Sequence, residues 1–123
     1  MRFAWWIAAL LVGASSAGAQ ESLQGKTLSI IIGSAPGGSY DAYQRVVARH
    51  LGRFLPGNPT VTARNLPGAA SIQSAHFVNE AAKDGLTLGA PLNILPVTQL
   101  LEPDKINFDV GKFQWIGSVA SPA

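Results

Sequence analysis

The sequence has no cysteine. That single absence excludes a disulfide scaffold, a thiolate zinc site, a cysteine nucleophile and a lipidated cysteine anchor. Charge is also scarce. Only 13% of the 123 residues are Asp, Glu, Lys or Arg against 47% apolar, the reverse of a disordered composition. Nine basic and seven acidic side chains leave a net charge of +2. DNA and RNA readers concentrate many more cations on one face, so no nucleic-acid partner is expected.

Several catalytic and metal motifs are missing as well. No G-x-S-x-G elbow and no H-E-x-x-H pair occurs, which leaves serine-hydrolase and zincin chemistry without local support. His50 and His76 fall on different expected helices, without a carboxylate or second ligand at metal spacing, so each is expected to pack or to face solvent. Asn58-Pro59-Thr60 fails as a glycosylation site because proline holds the middle position.

What is present begins with an address. Met1 and Arg2 form a short basic start, Phe3 to Ala14 an apolar run, and Ser15 to Ala19 a small-residue tail ending in Ala-Gly-Ala. This is the pattern of a secretory signal peptide cleaved before Gln20. The run is shorter than the roughly 20 apolar residues that span a bilayer, although the Trp5-Trp6 pair would suit a membrane interface and keeps an uncleaved anchor as the alternative. Residues 20–123 would then be the exported chain.

Strand and helix patterns alternate through that chain. Leu28 to Ile32 is a β-branched run bounded by glycine, as expected for a strand covered on both faces. In Tyr40 to Leu55, apolar Tyr43, Val46, Val47, Leu51, Phe54 and Leu55 recur at helical spacing, while Asp41, Arg45, Arg49 and Arg53 climb the opposite face. Ser39 or Asp41 is expected to cap this helix, and Pro56-Gly57 to stop it. Thr60 to Arg64 reads as a second strand, about Ala70 to Ala82 as a second helix, and Leu86 to Gly89 as a third strand. This order builds an α/β fold with a parallel sheet flanked by helices. Beyond it, Asn93 to Leu101 suggests a short helix interrupted by Pro96, and Phe113 to Val119 alternates like a strand.

The strongest local feature is Gly33 to Asp41, a glycine-rich turn between a buried strand and a helix start. Unpaired N–H groups and the positive end of the helix dipole can hold a carboxylate or phosphate there without a cationic side chain. The plainer alternative is a tight connection that needs glycine only to reverse direction. Nucleotide cofactors are disfavoured, because Ser39 stands where a P-loop needs lysine and Gly33, Gly37 and Gly38 do not have G-x-G-x-x-G spacing. Leu66 to Ser71 repeats the arrangement at the second strand-to-helix junction, which a parallel sheet places at the same edge. Asp41 reads first as a dipole partner or as the i, i+4 ion pair of Arg45.

In combination, APGGSYD (Ala35 to Asp41), LPGNPTV (Leu55 to Val61), RNLPGAAS (Arg64 to Ser71) and AAKDGLTLG (Ala81 to Gly89) resemble the substrate-binding proteins of tripartite tricarboxylate transporters, the Bug-type family. The resemblance covers nearly all of residues 26–123. It implies a periplasmic-binding-protein type II-like fold of two lobes that captures a small organic carboxylate and delivers it to membrane permease subunits, with no enzymatic activity and no cofactor. Carried over by position, the first ligand loop falls on Ala35, Pro36, Gly37, Gly38, Ser39 and Asp41, the second on Pro67, Gly68 and Ala69, and a third contact near Asn93. Family members continue into a second lobe, so residues 20–123 are expected to form an incomplete first lobe, as a fragment or a truncated gene product. An exported hydrolase-like α/β enzyme and an extracytoplasmic sensor module are the competing expectations.

Overall fold

The structure is a computed structural model that describes residues 21–119; the expected signal peptide lies outside the described residues. Strand β1 (Thr27–Ile32) is followed by α1 (Ser39–Leu51), β2 (Thr60–Asn65), α2 (Ile72–Glu80), β3 (Thr87–Ala90) and α3 (Leu95–Leu101). The sheet has three strands in the order β2-β1-β3, all parallel. The expected α/β class and flanked parallel sheet are therefore what the chain forms.

The central strand explains the two-sided apolar run. Leu28, Ile30 and Ile32 project to one face, where Val47, Ala48 and Leu51 of α1 cover them together with Val61, Ala63 and Leu88 of the neighbouring strands. Ile31 points the other way and is equally buried. Each such side chain removed from water contributes about 1.5–3 kcal/mol before chain entropy is counted, so β1 is the anchor of the fold. A second cluster lies beyond α2, where Ala75, Leu95, Ile106, Phe108 and Val110 pack together and Phe113 stacks on Phe108 at 5.6 Å.

Four expectations need correction. Phe113 to Val119 is not a strand, because no neighbouring strand offers it a ladder. Its aromatic residues instead fold back, and Trp115 Nε1 donates to the Val110 carbonyl at 3.2 Å. Pro96 does not interrupt α3. It sits in the first turn, where a missing N–H costs nothing. Neither Ser39 nor Asp41 caps α1: the N-cap is Gly38, without a side-chain bond. His76 does have a carboxylate at helical spacing, with Nδ1 3.4 Å from Glu80.

Candidate functional site

Parallel strands end together, and the register aligns Ile32 of β1 with Asn65 of β2 and Ala90 of β3. Three connections therefore leave the same edge: residues 33–38 into α1, residues 66–71 into α2, and residues 91–94 into α3. With β1 in the middle and β2 and β3 on opposite sides of it, the chain switches direction here, the place where open α/β sheets bind ligands. Ala35, Pro36, Gly37, Gly38 and Ser39 are exposed in the first connection, Pro67 and Ala69 in the second, and Asn93 in the third, while Gly68 is half-buried. Asp41 alone of the expected residues is buried.

The first connection is shaped from beneath by Asp41. Its carboxylate accepts from the Gly37 N–H at 2.9 Å, from Arg45 Nε at 3.0 Å and from Asn65 Nδ2 at 2.8 Å. Arg45 Nη2 donates to Asn65 Oδ1 at 2.7 Å, and Asn65 Nδ2 also donates to the Ser34 carbonyl at 3.0 Å. The Arg45 hydrogen bond, then the Gly37 amide, then the Asn65 amide hold the Asp41 pKa at about 2, against the opposing effect of burial. Asp41 thus makes the expected ion pair, and its oxygens are engaged within the protein.

This network decides which donors remain. The Gly37 amide is committed to Asp41, and Gly37 itself adopts φ +89°, a conformation glycine enters without the penalty of a Cβ. No side chain caps α1, so the N–H groups of Ser39, Tyr40 and Asp41 begin the helix with no intrahelical acceptor. A Cβ on Gly38 would meet nothing within 4 Å, so the approach to these donors is open. Close by in sequence, Ser34 Oγ is buried without a hydrogen-bond partner among the described residues.

The second connection is unusual. Ala69, Ala70 and Ser71 follow Gly68 with φ of 45°, 50° and 76°, three successive L-residues in the left-handed region. Each costs roughly 1–2 kcal/mol, so the turn persists only because its surroundings hold it. The holding group is Ser71, 1% exposed. Its hydroxyl donates to the Gly33 carbonyl at 3.1 Å and accepts from the Leu92 N–H at 2.9 Å, joining all three connections through one oxygen. Gly33 must be glycine for this contact, since a Cβ there would lie 2.3 Å from Ser71 Oγ and 2.6 Å from Ser74 Oγ.

The chain is similar to a UPF0065 protein. The relative, "UPF0065 protein in gbd 5'region" of Cupriavidus necator, is 35% identical over 103 residues, which is 83% of this chain and 30% of that protein. The chain thus spans under a third of the length of the curated relative it matches. No family model matches the chain. No solved structure matches it either.

The members that organise the site carry little local signal in the sequence. Asn65 carries a usable signal, because asparagine is depleted in strands and one ending a strand invites a tertiary explanation. Ser71 is the N-cap of α2, but its hydroxyl makes no cap bond and is spent on the two other connections.

Proposed function

We propose that this chain is the carboxylate-capturing first-lobe portion of an exported solute-binding protein that serves a tripartite tricarboxylate-type transporter. The observation that carries this reading is the uncapped N-terminus of α1, open to solvent at the edge where the three strand-to-helix connections converge. Such a terminus offers preorganised donors and a positive dipole end to an anion, and needs no lysine or arginine to do so. The likeness to the UPF0065 protein supports a solute-binding rather than an enzymatic role. Export follows from the apolar leader, and a permease partner from the family resemblance. A small di- or tricarboxylate suits the seat because its carboxylate group can take the amides that Asp41 leaves over.

Titration calorimetry of the full chain and of a full-length relative against succinate and citrate tests the proposal, together with the Gly38→Val variant of each. Gly38 has φ −82° and free space around its Cβ position, so valine should fold with a loss of about 1 kcal/mol or less from poorer N-cap preference. Its side chain would stand in front of the helix donors. Losing one or two charge-assisted hydrogen bonds weakens binding about tenfold or more. Equal affinity of the valine variant, or no binding by the full-length relative, overturns the proposal.

A further inference from the structure

The opposite end of the molecule carries a different surface. Where α1 runs out and β2 begins, Ala48, Pro59 and Val61 floor a groove of about 420 Å³ whose rim is Arg49, Arg53 and Asn58. The floor is buried or half-buried, and the rim is exposed. Beside it, Phe54 is 73% exposed with the Arg53 guanidinium stacked 4.8 Å above its ring.

Several of the other cations are already matched. Lys26, Arg45 and Lys105 are matched to Glu21, Asp41 and Glu102, and Arg64 lies over Phe77 with its own aromatic partner. Among the described residues neither Arg49 nor Arg53 forms an ion pair; Arg49 lies in the last turn of α1 and Arg53 in the 3-10 turn Gly52–Phe54 that follows it. No acidic residue lines the groove: Glu80 ends α2 and Asp84 follows it, Glu102, Asp104 and Asp109 follow α3, Asp41 lies in the first turn of α1, and Glu21 is paired with Lys26. The lining of the α1–β2 groove therefore carries two cations and no anion above its apolar floor.

We propose that this groove docks an acidic segment of a partner protein, in which two carboxylates meet Arg49 and Arg53 and an apolar side chain between them enters the floor. Charge complementarity selects the carboxylates. The exposed aromatic ring under a guanidinium supplies the kind of anchor that dominates protein interfaces. A bilayer surface fits less well, because two cations beside a concavity fall short of the clusters that hold a protein on anionic lipid.

Fluorescence anisotropy of the full chain with a labelled twelve-residue peptide alternating Glu or Asp with Leu and Phe tests it. Binding should weaken with added salt, and should fall about tenfold in Arg49→Gln/Arg53→Gln, as expected for loss of two rim ion pairs. The Lys112→Gln control, a distant exposed cation, should bind as the parent does. Replacing the peptide's Glu and Asp by Gln and Asn should mimic the double variant. Phe54→Ser should weaken binding by a similar factor with the salt dependence retained. The proposal is overturned if the glutamine peptide binds as tightly as the acidic one, or if the double variant is unaffected. It is equally overturned if phosphatidylglycerol vesicles or inorganic phosphate at equal charge engage Arg49 and Arg53 while the peptide does not.

Discussion

Removing the Ser71 hydroxyl should be among the most damaging single-atom changes available to this chain. Ser71→Ala deletes an oxygen that is 1% exposed as part of its residue and that serves two backbone groups. The Gly33 carbonyl, on a buried residue, loses its donor and is left without a replacement. The Leu92 N–H, on a half-buried residue, is left nearer to water. A buried polar group stranded in this way costs about 1–3 kcal/mol, so the pair should cost roughly 2–4 kcal/mol, with the half-exposed amide at the low end. Alanine also inherits the left-handed backbone and gains nothing there. Ser71→Gly loses the same two bonds but enters φ 76° freely, which returns about 1–2 kcal/mol, less about 0.4–1 kcal/mol from the looser unfolded chain. Glycine should therefore be less damaging than alanine by up to about 1.6 kcal/mol. Urea melts followed by circular dichroism measure the two losses, and hydrogen exchange should show the Leu92 amide opening faster in both. An alanine variant within about 0.5 kcal/mol of the parent, the spread of an inert surface change, would refute the role assigned to this hydroxyl.

Other perturbations follow from neighbouring groups. Gly33→Ala should destabilise by about 1–3 kcal/mol through overpacking against Ser71 and Ser74, and a melt coinciding with that of the parent would contradict the close approach. For Asp41 the folded pKa of about 2 lies below its ordinary 3.8, so its contribution to stability is complete above about pH 4 and is lost as pH falls towards 2. Asp41→Asn should remove that dependence, and an unchanged acid limb of the stability profile in this variant would show that other carboxylates cause it.

Much of the fold is legible in the sequence because its signals are local. A β-branched run that needs two covers, a helix with apolar residues at three- and four-residue intervals, and glycine or proline at each junction leave little choice in placing β1, α1, β2 and β3. The misread parts depend on partners far along the chain. Phe113 to Val119 alternates correctly for a strand, but alternation does not supply a neighbour to pair with. Pro96 breaks a helix or begins one according to where the first turn falls. Asn65 acquires its role only when folding brings it to Asp41, 24 residues away. The exposure of Ala35 to Ser39 could be anticipated from a strand-to-helix turn, whereas the engagement of the Gly37 amide by Asp41 could not be read from either residue alone.

The left-handed corner at Ala69 to Ser71 has a consequence for reagents raised against this region. Free peptides containing these residues would settle into extended or right-handed shapes, since alanine outside its folded surroundings has no reason to do otherwise. Sera prepared with a linear immunogen covering 64–80 should therefore recognise denatured chain on a blot and ignore the native molecule, whereas a binder selected on folded material at this corner should report loss of structure before any enzyme-free functional assay does.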